Sequence, residues 1–173
     1  FQTDLGSVTT LDDGQQDIIW GVFNYLKASG ADANTTTTAL NALNATADNI
    51  LVSSANTRGM RFGGILSMPL LIGQATTPRI WAGIAAYIAN KDRNNTAKET
   101  SYLNPIYTTA DYFLGGNPLN MSWVSGIGER SVLGIFKMDW FANDNHYVGG
   151  ATGDRKVIRP NKGVVPYGIW RIR

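Results

Sequence analysis

Through the first two-thirds of the chain, apolar residues recur at helical spacing in separate stretches, and the pattern stops at Gly115-Gly116. Ile18, Ile19, Val22, Phe23 and Leu26 share one face behind Asp12 and Asp13, an acidic pair suited to the positive end of a helix dipole. Gly30 closes that helix. A second helix is predicted to open in the Thr35–Thr38 run, with Leu40, Leu43, Ala47, Ile50 and Leu51 as its stripe. The stretch Ser53–Gly63, holding Arg58, Gly59, Arg61 and Gly63, reads as a loop. Ile65–Gly73 is apolar on all sides, as a buried helix would be, with Pro69 in its first turn or at a kink. Pro78 suits the first position of the next helix, where Ile80, Trp81, Ile84, Tyr87 and Ile88 are expected to face inward. Lys91–Lys98 reads as a polar turn. A last helix is predicted over Glu99–Leu114, with Leu103, Ile106, Tyr107, Ala110 and Phe113 or Leu114 inward and Pro105 in its first half. Helices of this kind bury one stripe against one another, so the expected fold class is all-α, with paired helices rather than an α/β sheet.

From Asn117 to Arg173 no helical period is sustained, and Gly, Pro, Trp, Tyr and Asn recur instead. Short strands are allowed at Trp123–Ser125, Val132–Phe136 and Val157–Arg159. Long loops on a helical scaffold are usually functional or tied to a partner. The expected organisation is one partial domain over 1–173, with helices over about 12–116 and a loop-rich, substrate-side tail over 117–173.

Composition removes several classes of chemistry. There is no cysteine and one histidine, His146, which excludes disulfides, thiolate nucleophiles and a multi-histidine zinc site. A net charge of +2 is too small for a nucleic-acid footprint. The longest apolar run, Ile65–Ile72, is broken by Ser67 and Pro69 and falls far short of the ~20 residues a membrane span needs. Neither nucleic acid nor membrane is an expected partner. Phe1–Thr57 carries six Asp and a single cation, Lys27, which reads as a solvated acidic surface. No signal peptide is read at the start, and the opening Phe in place of Met suggests a processed or cut product. Sequons at Asn34, Asn44, Asn94 and Asn120 permit N-glycosylation in a secretory pathway. No Gly-x-Ser-x-Gly elbow is present, and Gly149–Gly153 lacks the Gly-Lys-Ser/Thr ending of a phosphate loop.

The segment Ala110–Gly128 reads ADYFLGGNPLNMSWVSGIG. It resembles a signature of glycoside hydrolase family 9, D-Y-(I/L)-L-G-x-N-P-x-x-x-S-(Y/F)-V-T-G-x-G. Asp111, Tyr112, Leu114, Gly115, Asn117, Pro118, Ser122, Val124, Gly126 and Gly128 match it. Trp123 stands at the aromatic position, Ser125 replaces Thr, and Glu129-Arg-Ser131 fits the continuation. The ending Gly163–Trp170 resembles a P-G-x-x-P-Y-G-x-W ending, with Lys162 in place of Pro. The resemblance covers roughly the last third to half of the chain. It implies that the chain is the C-terminal part of an (α/α)6 barrel, and that the parent domain hydrolyses β-linked glucans or related oligosaccharides with inversion. That chemistry uses an Asp base and a Glu acid about 6.5–9.5 Å apart. The implied partners are an oligosaccharide or polysaccharide substrate and the N-terminal portion of the same catalytic domain, in a secreted or periplasmic setting.

The chain departs from the family pattern at the catalytic positions. Asp12-Asp13-Gly14 only echoes the family's D-A-G-D loop, and Glu99 and Glu129 are the only glutamates, neither in an N-E context. The family's H-H-R motif is absent, and His146 stands alone. The catalytic pair is therefore unassigned, with Asp139, Glu129 and His146 as the candidates in this chain. Sugar binding needs flat aromatic faces and polar groups that read hydroxyls. The substrate-binding candidates are Trp123, Arg130, Asp139, Trp140, His146 and Tyr167. Competing structural readings stand beside these: Trp123 as a plug for the end of the core, Glu129 and Arg130 as a local ion pair, Asn117-Pro118 as a turn builder, and Trp170 as a packing anchor. Asp139, Asn143, Asp144 and Asn145 present oxygens that could suit Ca²⁺, but the EF-hand pattern is missing, and no cofactor is expected. The alternative function is a non-catalytic carbohydrate-binding or structural extracellular protein. A third reading is a cleavage fragment whose function belongs to its parent.

Overall fold

A computed structural model describes residues 11, 16–65, 76–132, 162–163 and 165. These residues form five α-helices: α1 (Gln16–Lys27), α2 (Ala33–Ala47), the short α3 (Ser54–Thr57), α4 (Thr77–Lys91) and α5 (Thr96–Leu114). A π-helical turn over Asp48–Ser53 joins α2 to α3. The described residues contain no sheet; one parallel bridge pairs Ser122 with Ser131, and Trp123–Ser125, where a strand was allowed, forms a bend and a turn. No helix among them is long and apolar enough to cross a membrane. The apolar stretch at 66–73 and the tail strand at 157–159 lie outside the described residues.

Side-chain caps fix where two of the helices begin. The Asp32 carboxylate accepts from the Thr35 N–H at 2.8 Å and from the Thr35 hydroxyl at 2.9 Å, so α2 starts at Ala33, before the threonine run. The Asn95 side chain accepts from the Lys98 N–H at 3.4 Å, so α5 starts at Thr96 rather than Glu99. Pro78 occupies the first turn of α4, as expected. At the end of α5, Gly115 takes φ 127° and the Gly116 N–H donates to the Asp111 carbonyl at 2.7 Å.

The helices form two hairpins, α1–α2 and α4–α5, laid side by side. Trp20 of α1 meets Trp81 of α4, with ring centroids 5.4 Å apart. Lys27 at the end of α1 pairs with Asp92 just past α4 at 3.2 Å. The two helices therefore run in the same direction. The core between the hairpins is Ile19, Val22 and Leu26 of α1, Ala39, Ala42 and Leu43 of α2, Ala82, Ala85, Ala86 and Ala89 of α4, and Tyr102 of α5.

This core corrects the sequence-based stripe of α4. Alanines face inward there, while Ile80, Ile84, Tyr87 and Ile88 are half-buried and Trp81 is 38% exposed. The cause is crowding: α4 packs against α1, α2 and α5 at once, and only small side chains fit between. A Cβ on Gly83 would come within 2.3 Å of the Leu51 side chain. In α5, Phe113 is buried as predicted and Leu103, Ile106 and Ala110 are half-buried, but Tyr107 and Leu114 are exposed, and Tyr102, Pro105, Thr109 and Tyr112 are buried outside the predicted set. The helical rod that begins with α2 also runs on through α3 to Thr57, five residues into the predicted loop.

Polar groups inside the bundle are matched to partners. The buried Asn90 amide donates to Asn44 Oδ1 at 2.7 Å and to the Ala86 carbonyl at 2.8 Å, while its oxygen accepts from Asn95 Nδ2 at 3.0 Å. The sequon residue Asn44 is thus a core contact between α2 and α4. The Tyr102 hydroxyl donates to Asp48 at 3.0 Å, and Lys98 pairs with the same carboxylate. Burial, reinforced by the Asp48 charge, pushes the Tyr102 phenol far above its usual range.

Candidate functional site

Two connections converge beside the C-terminal end of α5: the loop 58–65, which leaves α3, and the segment 117–132, which carries the sequence signature. Arg58 organises the first. Its Nη1 donates to the Phe62 carbonyl at 3.2 Å and to the Gly63 carbonyl at 2.7 Å, and its Nη2 donates to the Ile65 carbonyl at 2.5 Å. The same guanidinium lies 4.1 Å from the Phe62 ring centroid. Phe62 in turn stacks on Tyr112 of α5, centroids 3.8 Å apart and planes 17° from parallel. Arg58, Phe62 and Tyr112 therefore form a continuous stack from loop to helix. Burial lowers the Arg58 pKa from its ordinary value, with Tyr112 opposing that shift.

The loop backbone is fixed at further points. The Gly63 N–H donates to the Thr109 hydroxyl at 2.9 Å, and the Thr108 hydroxyl donates to the Arg61 carbonyl at 2.6 Å. The Gly64 N–H donates to the Ile50 carbonyl at 2.7 Å, inside the π-turn. In a regular α-helix the Ser54 N–H would take that carbonyl; here it bonds to Leu51 instead. Glycine at 63 allows a close approach to the π-turn, since a Cβ there would lie 2.8 Å from Leu51 Cδ1 and force it to shift.

The signature segment folds by the same means. The Asn117 amide donates to the Tyr112 and Met121 carbonyls, each at 2.8 Å, and its oxygen accepts from the Leu119 N–H at 3.1 Å. Asn117 is a turn builder. The Trp123 N–H donates to the Phe113 carbonyl at 2.7 Å. The Ser122 N–H donates to the Arg130 carbonyl at 2.7 Å, and the Val132 N–H donates to the Ser122 carbonyl at 3.2 Å, so the segment doubles back on itself. Gly126 and Gly128, at φ 68° and 79°, supply the left-handed residues that this requires. The tail returns here too, since the Gly163 N–H donates to the Ser125 carbonyl at 2.8 Å. Phe62, Tyr112, Phe113, Trp123 and Val132 make a second apolar core, with Val165 packed against it.

The sequence-predicted site residues separate into two groups. Trp123 is 4% exposed and lies within this second core, as the plug reading describes. Its indole N–H is near enough to draw the Tyr112 phenol downward, yet it lacks the geometry of a hydrogen bond and is a buried donor without a partner. Burial is the larger influence on Tyr112 and raises its pKa overall. Glu129 and Arg130 are both exposed, and no ion pair joins them, which corrects the local-pair reading: beside the left-handed Gly128 both side chains stand in solvent. Asp139, Trp140, His146 and Tyr167 lie outside the described residues, as do Asn143, Asp144, Asn145 and Trp170. Among the described residues no group of three or more acidic or histidine side chains could hold a metal ion. Sequence reasoning placed Arg58 only in a loop and passed over Phe62, Thr108 and Thr109; the available signal was the pattern Arg58-x-x-Arg61-Phe62-Gly63-Gly64, two cations and an aromatic set against paired glycines. At the opposite end of the bundle a shallow depression is bounded by Leu26, Lys27, Asp92 and Arg93, where Arg93 donates to the Ala89 and Leu26 carbonyls.

Neither a family model nor a curated protein matches the sequence. Among solved structures the chain is similar to the crystal structure of a glycoside hydrolase family 9 endoglucanase, J30, with a TM-score of 0.59 at 23% identity. It is equally similar to a zinc-binding triple mutant of that enzyme, with a TM-score of 0.60 at 23% identity. In both cases the match covers 78% of this chain and 24% of the other, so the chain spans about a quarter of the length of the structures it matches. Its paired helices share the fold of part of a family 9 endoglucanase.

Proposed function

We propose that the chain is part of a family 9-like glycoside hydrolase acting on β-linked glucan, and that it supplies lining residues for the substrate cleft. One observation carries this reading. The Asp111–Gly128 signature folds as a capped helix end with a doubled-back segment, docked on the loop 58–65, within helices that share an endoglucanase fold. On this reading the loops beside the end of α5 form one wall of a sugar-binding cleft. Trp123 holds that wall together from inside. Contact with substrate falls to exposed groups such as Arg130 and to the tail residues Asp139, Trp140, His146 and Tyr167. The inverting acid/base pair is completed by the rest of an (α/α)6 barrel, which binds this part through the hairpin faces. A polymeric substrate places the enzyme in a secreted or periplasmic setting.

The test uses the purified 173-residue chain and cellohexaose. Weak binding by NMR titration, with no shorter oligosaccharide formed on prolonged incubation, is the expected result. Robust hydrolysis by the chain alone would overturn the division of labour, and complete absence of binding would overturn the cleft role.

A further inference from the structure

Among the described residues nine positions hold φ in the left-handed region: six glycines, Asn94, Asn120 and Arg61. Glycine has no Cβ to clash there, and asparagine tolerates the region because its short side chain bonds locally. Arg61, at φ 54°, has neither excuse. Its neighbours Gly59, Gly63 and Gly64 show that the same loop uses glycine freely. A side chain kept where the backbone disfavours it points to a role for the side chain itself.

The surroundings define that role. The Arg61 N–H donates to the Arg58 carbonyl at 3.0 Å, and its carbonyl accepts from the Thr108 hydroxyl at 2.6 Å, so its backbone is pinned to both loop and helix. The next residue, Phe62, is locked into the Arg58–Tyr112 stack. The Arg61 side chain, by contrast, is exposed and bonds to no other described residue. A long arm with a planar fork of donors therefore stands on a rigid base beside the signature segment. A guanidinium presents parallel N–H groups spaced for two adjacent oxygens, a match that an ammonium lacks. We propose that Arg61 is a substrate-contacting residue whose guanidinium bridges neighbouring hydroxyls of a pyranose ring. This deepens the proposed function and rests on it.

The experiment compares Arg61→Asn, Arg61→Gly and Arg61→Lys with the wild-type chain, measuring cellohexaose affinity by titration and Tm by differential scanning fluorimetry. Asn and Gly suit the left-handed backbone, so Tm is expected to hold or rise while affinity falls about tenfold, the loss of a charge-assisted pair of hydrogen bonds. Lys keeps the charge and loses the fork, so its affinity falls between the two. Rising stability with falling affinity is a combination that a purely structural arginine does not give. Wild-type affinity in Arg61→Asn overturns the proposal alone, leaving the glucan reading intact. A Tm that drops together with affinity also overturns it, since Arg61 would then act through the fold. A wild-type chain that binds no cellohexaose sinks the glucan reading, and this assignment with it.

Discussion

Replacing Arg58 tests whether one guanidinium holds the candidate site in place. Arg58→Ala removes the donor for three carbonyls and the cation on Phe62. The Gly63 carbonyl keeps a second partner, the Thr76 hydroxyl at 3.3 Å. The buried Phe62 carbonyl and the half-buried Ile65 carbonyl lose the guanidinium as donor. An orphaned buried acceptor costs about 1–3 kcal/mol, and the half-buried one lies at the lower end because water reaches it. The expected loss is about 2–3 kcal/mol by urea unfolding. Arg58→Lys recovers one bond but neither the fork nor the flat contact with Phe62, and should cost about 1–2 kcal/mol. The site-specific assay is amide hydrogen exchange. Protection at Gly63 and Gly64 should fall in both variants, while the Asn95 amide, bonded to Asn90 in the α4–α5 turn, should change only with global stability. Unchanged protection at Gly63 and Gly64 in Arg58→Ala, or a lysine as good as the arginine, would refute the reasoning.

Three further outcomes follow from the packing and the titrating groups. Gly83→Ala should destabilise the wild-type chain by about 1–2 kcal/mol, because the new Cβ meets Leu51, yet it should stabilise a Leu51→Ala background by about 1 kcal/mol through helix propensity; a double-mutant cycle in urea reads this coupling directly. Asp32→Ala should cost about 1 kcal/mol through loss of the α2 cap, measured by the same unfolding. Tyr102 and Tyr112 ionise later in the folded chain than in the unfolded one, whose value is 10.0, so their contribution is complete below pH 10 and is lost as pH rises toward their folded values; urea midpoints taken across that range should fall, and Tyr102→Phe should flatten the fall.

Some residues announced their roles in the sequence because each serves a backbone need of its own. Gly115 sits where the end of α5 demands left-handed φ, and Asn117 sits where a turn needs a side chain that both donates and accepts. Helix pairing was legible for the same reason, since a stripe must be buried somewhere. The face of α4 was not. Hydropathy ranks Trp81 and Ile84 above alanine, whereas a helix wedged among three others selects for fit, and Ala82, Ala85, Ala86 and Ala89 win. Arg58 was read only as part of a loop because its partners are main-chain carbonyls, which carry no letter in the sequence. The π-turn was equally hidden: nothing in Asp48–Ser53 marks it, and the partner of its Ile50 carbonyl is the Gly64 N–H, far along the chain.

That π-turn acts as a phase setting. A helix advances about 100° per residue, so the wider turn decides which way every later side chain on the same rod is directed. Winding residues 48–53 as uniform α-helix, with none removed, would rotate α3 by about that angle. Arg58, one residue past the rod's end, would then emerge on a different side and miss its carbonyls. The placement of the loop is thus encoded upstream of the loop, in the winding of the helix that delivers it.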